Sequence, residues 1–392
     1  MARLVVGPLL RYVDENSATI WVETDQPCEV SVLGTSTRTF TVHGHHYALV
    51  ELTDLAPGRS TPYTMELDGV QVWPPPDSTF PPSRICTFGT GRPLRLVVGS
   101  CRKTASHGQE GEETFGVDAL RTYAQRMAGQ PEQEWPAALL MVGDQVYADN
   151  PSGEMKEIIE ARRDVTQPPG HELADFEEYT HLYRLAWAGE PNAATDVVRW
   201  LLSTVPSMMI FDDHDVRDDW NISQAWRERV ASESWWHDRI VGGFGTYWLY
   251  QHLGNLSPAE LVADPLLTAL RHTDGDGGEL VDELAWHADR GSGHYRWSYA
   301  RDFGRTRLAV LDTRSARELQ PGQRGLLGDK QWSWFDDLAH GDLDHLLIAT
   351  SLPYLLPAGV HHGEAWNEAV CEGGWGQRGQ RMGERVRNLR FL

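Results

Sequence analysis

The chain contains three short apolar segments that each run directly into a cluster of polar residues. They are Arg95–Gly99, Ala137–Val142 and Ser207–Phe211. Apolar runs of this length without polar alternation are typical of strands buried on both faces, as in a parallel sheet covered by helices. Open sheets of this kind bind ligands beyond the carboxyl ends of their strands. The sequence therefore predicts an α/β core with a functional site at that edge.

The segments between and after these strands complete the predicted core. Glu112–Met127 and Asp175–Trp187 space their apolar residues as amphipathic helices do, and Ala194–Ser203 favours a third helix. The first strand–helix–strand unit should be parallel and right-handed. Three further strands are predicted, the first two as a hairpin: His294–Ala300, Thr306–Leu311 and His345–Thr350.

The chain up to about Phe88 has a different pattern. Its short β-rich runs are separated by turn signals such as Asp68-Gly69, which is typical of a small antiparallel sandwich. Glu51–Leu67 resembles the corresponding part of fibronectin type III and related immunoglobulin-like domains. We therefore predict an all-β N-terminal domain over residues 1–90 and an α/β domain over residues 91–392.

Composition excludes several classes of partner. The formal net charge of −21, from 35 basic and 56 acidic residues, disfavours binding to nucleic acid or anionic membranes. Four scattered cysteines do not make a disulfide framework. No stretch approaches the roughly 20 apolar residues of a membrane span, and the N-terminus lacks the layout of an export signal. We expect a cytoplasmic protein; no oligomeric state is indicated.

The polar clusters after the three strands contain residues that bind metals. Cys101 follows the first strand, Asp144 and Tyr147 follow the second, and Asp212 and Asp213 follow the third. Thiolate and phenolate groups suit a trivalent or soft metal, whereas clustered carboxylates suit a hard divalent ion and can bridge two cations. Two metals roughly 3.5–4 Å apart can clamp a phosphoryl group and activate water. The pattern predicts such a site, with Asp144 at its centre.

His214 directly follows Asp213 and is placed to stabilise the transition state or to protonate the leaving oxygen. Each residue alone also has a structural interpretation. Cys101 can be a small buried residue, Tyr147 can pack in the core, and the aspartates can cap turns or helices. Packing, however, gives no reason to place every cluster at a strand's carboxyl end, so the joint pattern favours a site.

Several other residues have weaker signals. We assign Arg102 a catalytic contact with a phosphate, although a position in a solvated loop is an equal alternative. Arg314 is expected in a structural ion pair. The pair His361-His362 looks like a metal motif, but adjacent side chains diverge on regular structure, so ligation is disfavoured. The histidines of segment 43–46 are interpreted as surface residues of a hairpin.

Four motifs together resemble those of the PhoD-like alkaline phosphatases, a family of the calcineurin-like metallophosphoesterases, which are α+β sandwich proteins. The motifs are Gly99–Lys103 (GSCRK), Gly143–Asp149 (GDQVYAD), Phe211–Trp220 (FDDHDVRDDW) and Leu311–Arg314 (LDTR). The resemblance implies an Fe(III) ion and Ca²⁺ acting on small-molecule phosphoesters, either monoesters or diesters.

Carried over by motif, the resemblance implies a role for each residue of the predicted site. Cys101 and Tyr147 would bind iron, Asp144 would bridge the metals, and Asp213 would bind at the second metal position. His214 would lie near the leaving group, and further calcium contacts are implied for Asp212 and Asp218.

One family motif is missing from the sequence. A late GDVH-type segment supplies further metal ligands in the family, and GVHH at Gly359–His362 only echoes it. We therefore expect a C-terminally truncated catalytic domain. Two functions follow: a metal-dependent phosphoester hydrolase, or an inactive remnant of that fold that acts as a binding module.

Overall fold

The computed structural model describes residues 1–89, 93–103, 113, 116–188, 197–290, 295–320, 323–370, 375–376, 378–379 and 382. The predicted domain boundary between residues 90 and 91 lies outside this part of the chain and stays a prediction. Among the described helices, none is both long enough and apolar enough to cross a lipid bilayer.

The strands are β1 Leu4–Val13, β2 Ala18–Thr24, β3 Glu29–Val32, β4 Thr35–Arg38, β5 Phe40–Val42, β6 His45–Leu52, β7 Ser60–Pro62, β8 Met65–Leu67, β9 Val70–Trp73, β10 Arg84–Cys86, β11 Leu96–Gly99, β12 Ala138–Val142, β13 Ser207–Ile210, β14 Tyr299–Phe303, β15 Thr306–Leu311 and β16 His345–Thr350. The helices are α1 Ala119–Ala128, α2 Gly153–Arg162, α3 Phe176–Trp187, α4 Val197–Thr204, α5 Gln224–Ala231, α6 Trp236–Thr246, α7 Pro258–Ala263, α8 Pro265–His272, α9 Gly278–Asp289, α10 Asp329–Ala339 and α11 Ala358–Ala369. A 3₁₀ turn, Glu132–Glu134, precedes β12, and α6 continues into a π-helical turn, Tyr247–His252, and a 3₁₀ turn, Leu253–Asn255.

The N-terminal part is all-β, as predicted. Its two four-stranded antiparallel sheets have the orders β1-β2-β6-β5 and β4-β3-β8-β9, and β7 pairs with β10 in a separate ladder. A core of apolar side chains from both sheets, including Ile20, Val30 and Met65, lies between them. This arrangement is compatible with the immunoglobulin-like resemblance.

The second face of the β1-β2-β6-β5 sheet packs against the α/β part of the chain. Trp21 and Tyr47 belong to the same apolar cluster as residues of β12 and β13. Arg11 of β1 is fully buried, and its guanidinium donates to the backbone oxygens of Ser207 (3.0 Å), Tyr250 (2.6 Å) and Gln251 (2.7 Å). Because both of its faces are covered, β2 is buried along its whole length.

The α/β part contains two three-stranded sheets. Strands β11, β12 and β13 are parallel, as the apolar runs predicted. The predicted burial is confirmed for β12 and β13 but is wrong for β11, where Val98 is 59% exposed. In the other sheet, β14 and β15 form the predicted antiparallel hairpin, and β16 pairs parallel to β15. The described side chains of β16 are not buried as predicted: Leu347 and Ile348 are 37% and 38% exposed. Because neighbouring side chains point to opposite faces, neither face of this strand is fully covered.

Helix boundaries differ from the predictions at their N-terminal ends. Helix α1 begins at Ala119, where the Asp118 side chain caps the first turn by accepting from Arg121 N at 3.0 Å. The predicted start at Glu112 lies outside the described residues, as do residues 194–196 of the predicted third helix and His294 of the predicted hairpin. Helix α3 matches its predicted span within one residue.

Candidate active site

The loops after β11, β12 and β13 meet at the carboxyl edge of the parallel sheet. Two backbone hydrogen bonds join the first two loops, from Cys101 N to Gly143 O and from Arg102 N to Asp144 O, both at 3.1 Å. The three sequence clusters that were predicted to converge therefore do so.

The backbone at this edge has unusual conformations. Cys101 (φ 57°) and Asp144 (φ 54°) lie in the left-handed region, which is costly for residues other than glycine. Gly143 has φ 101°, and a Cβ added there would lie 2.3 Å from Cβ of Asp212. Only glycine fits between the β12 and β13 loops, and local strain is concentrated where the polar side chains converge.

Asp144, Asp212 and Asp213 form a compact group of carboxylates. One oxygen from each lies within 4.8 Å of the others, and Asp144 and Asp212 are only 3% and 8% exposed. Burial and then the charges of Asp212 and Asp213 raise the pKa of Asp144 to about 7. This mutual repulsion is what a bound cation relieves.

Cys101 and Tyr147 border this group. The Cys101 thiol and the Tyr147 phenol both lie close enough to Asp144 for its charge to act on their pKa. Burial, followed by the Asp144 charge among other causes, raises the pKa of both groups in the absence of a cation. A thiol and a phenol thus lie in the same electrostatic environment as the carboxylate group.

A second group of carboxylates shares Asp213 with the first. Asp213, Asp218 and Asp219 each place an oxygen within 4.8 Å of the others. The Asp213 carboxylate also accepts from Asp219 N at 2.9 Å. The sequence singled out Asp218 but not Asp219, although both belong to the same RDDW segment. Two acidic groups with a common member have the donor chemistry for more than one hard cation.

Arg314 neutralises part of this charge. Its guanidinium forms ion pairs with Asp212 and, at 3.1 Å, with Asp213. The predicted ion pair is therefore present, but its partners are the candidate metal ligands themselves. Ser351 donates to Asp212 Oδ1 at 3.0 Å from the loop after β16. The edge of the second sheet thus completes the surroundings of the cluster.

His214 lies beside the cluster, where its ring stacks on Tyr147 with 4.6 Å between centroids. Its Nδ1 is 2.9 Å from both carboxylate oxygens of Asp149, and its Nε2 is 3.8 Å from Asp218 Oδ1. Burial alone would lower the pKa of His214, but the Asp149 hydrogen bond and neighbouring carboxylates raise it to about 9. Asp149 thus holds the ring in place and favours the imidazolium.

Asp215 was assigned no function from the sequence, yet it joins the two central loops. Its Oδ2 accepts from Asp144 N and Asp212 N, both at 2.8 Å, and its Oδ1 accepts from Gln145 N and Gln251 Nε2, both at 3.2 Å. The carboxylate is buried. The only sequence signal was a further aspartate within the DDHD segment.

The remaining predicted residues have other surroundings. The Arg102 guanidinium pairs with Asp118 at 2.9 Å and donates to Ala186 O at 2.7 Å, so its phosphate contact stays a prediction. His361 contacts Glu364 at 3.2 Å, and neither His361 nor His362 joins a group of three potential ligands among the residues described.

The histidine hairpin is not simply a surface feature. The turn between β5 and β6 is present, but His45 bridges Glu23 and Glu177 at 2.9 Å each, and His43 contacts Asp282 at 2.9 Å. The surface position is confirmed for His43, which is exposed, whereas His45 is partly buried because the hairpin packs against α3 and α9.

The residues present fit a metal centre. Carboxylates converge with one another, a thiol and a phenol lie near them, and burial together with repulsion raises the pKa of Asp144. Such a donor set combines the ligands of a trivalent or soft metal with those of a hard divalent ion.

Comparisons with known proteins agree with this architecture. The solved "Structure of PhoD" matches with a TM-score of 0.56 and 15% identity, over 88% of this chain. The chain spans 62% of the length of that structure. A purple acid phosphatase, PPD1 from yellow lupin (Lupinus luteus) seeds, matches with a TM-score of 0.43 and 14% identity, over 88% of this chain and 50% of its own. No curated protein matches the chain.

The likeness to the solved PhoD structure shows that this chain shares its fold. The model of the PhoD-like phosphatase family matches residues 97–356, and the chain belongs to this family. Residues 1–85 match a domain of unknown function (DUF7800).

Proposed function

We propose that this protein hydrolyses small-molecule phosphoesters with metal ions held by Asp144, Asp212 and Asp213. The observation that carries the proposal is the group of three carboxylates, with oxygens within 4.8 Å of one another at the carboxyl edge of a parallel sheet. Membership of the PhoD-like phosphatase family supports phosphoester chemistry. Both monoesters and diesters are included in the proposal.

The metal positions follow from the donor chemistry. We propose Asp144 as the ligand common to two positions, with Cys101 and Tyr147 completing one of them for a ferric ion. Asp213, together with Asp212 and Asp218, would hold a hard divalent ion such as calcium. When bound, the ions would neutralise charge on the phosphoryl oxygens and increase the acidity of water.

His214 is proposed to protonate the leaving oxygen. A pKa of about 9 keeps the ring protonated at neutral pH, and Asp149 at 2.9 Å orients it through Nδ1. Its Nε2 is then the group left to donate a proton. Arg314, which already pairs with Asp212 and Asp213, would help to balance anionic charge as the phosphoester binds. The Arg102 contact with a phosphate is kept as a further proposal.

The test uses the full chain loaded with iron and calcium. Hydrolysis of p-nitrophenyl phosphate and bis-p-nitrophenyl phosphate is measured across pH. Asp144→Asn and Asp213→Asn should lower kcat/KM by about a hundredfold or more, because each removes a charged ligand. The matched control is Asp276→Asn, whose carboxylate accepts from three backbone N–H groups near the β5–β6 turn.

Two results would contradict the proposal. One is that the metal-loaded protein turns over neither ester at any pH. The other is that the Asp144 and Asp213 variants retain the activity of the control. Activity that survives only in the control and wild-type proteins supports the proposal.

A further inference from the structure

A cavity of about 500 Å³ opens beside the acidic cluster. Arg314, which pairs with Asp212 and Asp213, lines it together with Asp219 of the second carboxylate group. The cavity therefore begins where the proposed phosphoryl site ends. The part of a phosphoester that extends from the cluster on this side would enter it.

Asn367 of helix α11 is the lining residue whose surroundings point to a ligand. Its side chain is only 4% exposed, and it lines the cavity. Among the residues that the structure describes, none donates a hydrogen bond to its Oδ1 atom. A buried acceptor without a partner is costly, and most such atoms in proteins are paired. A ligand that carries a hydrogen-bond donor would satisfy this oxygen.

The charged side chains of the lining do not favour an ion of either sign. Among the residues described, arginines and acidic residues are equal in number: Arg314, Arg317 and Arg324 against Asp219, Glu318 and Glu364. Arg314 is matched by its two aspartates, and Glu364 contacts His361 at 3.2 Å. Arg317 and Arg324 also have interaction partners. Because an unmatched charge is far more costly to bury than a neutral polar group, we expect the donor to be neutral.

Other lining residues are apolar. They include Leu319, which is buried, together with Ile222, Leu352 and Leu356. Apolar surface gains free energy when it leaves water, so these side chains favour a hydrocarbon body in the cavity. The cavity thus combines apolar contacts with a neutral acceptor that has no partner among the described residues.

We infer that this cavity binds the alcohol part of a phosphoester that has an apolar body and a neutral hydrogen-bond donor, such as a second hydroxyl group. Asn367 Oδ1 would accept from that donor, and the apolar side chains would contact the body. An alcohol of the same shape without the donor would leave the oxygen buried and unpaired, so Asn367 would discriminate between substrates. The phosphoryl position in this inference rests on the proposed function, whereas binding of the released alcohol does not.

The reaction that follows is an ordinary hydrolysis. Water adds to phosphorus, the P–O bond to the alcohol breaks, and the leaving oxygen takes a proton. With 4-(hydroxymethyl)phenyl phosphate as substrate, the products are inorganic phosphate and 4-(hydroxymethyl)phenol. The hydroxymethyl group is unchanged and serves only for recognition.

The first measurement is direct binding to the full chain by isothermal titration. It compares 3- and 4-(hydroxymethyl)phenol with 3- and 4-ethylphenol, which have nearly the same shape but lack the second donor. For at least one ring position, we expect the hydroxymethyl compound to bind about tenfold more tightly than its ethyl counterpart, as one hydrogen bond to a buried acceptor predicts.

Two variants test whether this preference depends on Asn367. Asn367→Leu has nearly the same size but no acceptor, so it should lose the preference. Asn367→Asp keeps an acceptor oxygen and should retain it. The matched control is Gln71→Leu, which removes an exposed amide from β9 of the N-terminal part and should leave the preference unchanged.

The second measurement is kcat/KM for the phosphate esters of the same four phenols in the metal-loaded protein. The wild-type protein and the Gln71 variant should prefer the hydroxymethyl ester, and Asn367→Leu should not. If no ester is hydrolysed but a hydroxymethylphenol still binds preferentially, the proposed function fails and the inference about the cavity stands.

The inference is overturned if wild-type protein binds the hydroxymethyl and ethyl compounds equally at both ring positions, even when all four esters are hydrolysed. It is also overturned if Asn367→Leu keeps the full preference. If Asn367→Leu does not fold, Asn367→Ala takes its place, since it also removes the acceptor, and the same two outcomes decide.

Discussion

Replacing Asp215 by Asn tests how the sheet edge is held together. Each carboxylate oxygen of Asp215 accepts two hydrogen bonds, from Asp144 N and Asp212 N on one oxygen and from Gln145 N and Gln251 Nε2 on the other. The amide of Asn has only one acceptor oxygen. Whichever way it points, two donors would face an NH₂ group.

The magnitude follows from those two donors. A buried donor without a partner costs about 1–3 kcal/mol, so the two donors should lower the free energy of unfolding of Asp215→Asn by roughly 2–6 kcal/mol. The same change releases the loops that carry Asp144 and Asp212, and metal affinity should fall about 10–100-fold. Urea denaturation and metal titration measure the two effects.

Asp276→Asn again serves as the matched control. Its carboxylate accepts from the backbone N–H groups of His43, Gly44 and Gly278 at 2.8, 2.6 and 2.7 Å, but it is exposed. It should lower stability by about 1 kcal/mol and leave metal affinity unchanged. The reasoning is refuted if Asp215→Asn unfolds at the same urea concentration as wild type and binds metal equally well.

Three further changes have defined outcomes. Burial would lower the pKa of His45, but hydrogen bonds to two glutamates raise it to about 9. The contribution of His45 to the free energy of unfolding should therefore be fully present below about pH 6.5 and lost as the pH rises through 9. Urea titrations should show that the free energy of unfolding falls by roughly 1–3 kcal/mol over this pH range in the wild-type protein, and that His45→Gln abolishes this fall. Arg11→Met leaves three backbone oxygens without their donor and should cost about 3–5 kcal/mol by denaturation. Gly143→Ala should cost more than about 2 kcal/mol and weaken metal binding, because the new methyl group would meet Asp212.

The features that depend on local sequence patterns could be predicted from the sequence alone. The apolar runs before Cys101, Asp144 and Asp212 were long enough to identify strands without polar alternation, and their convergence follows from parallel pairing. Regularly spaced turn signals were likewise sufficient to predict that the N-terminal part is all-β. Local periodicity and the rule for parallel sheets thus account for the predicted location of the site.

The features that were missed depend on contacts between distant segments. The function of Asp215 arises from donors in three separate segments, including Gln251 on a π-helical turn. His45 looked like a surface residue because its partner Glu177 is 132 positions away in the sequence. The exposure of β16 depends on which distant segments cover its two faces, and a run of apolar letters does not reveal this.

The most direct test of the central proposal is the metal content of the purified chain after loading with iron and calcium and removal of free ions. We predict about two bound metal ions per chain, as a site of this kind requires. Asp144→Asn and Asp213→Asn should lose most of that metal, whereas Asp276→Asn should keep it. Wild-type protein that retains substantially less than one metal ion per chain, or an Asp144 variant that retains all of it, would contradict the assignment of the acidic cluster as a metal centre.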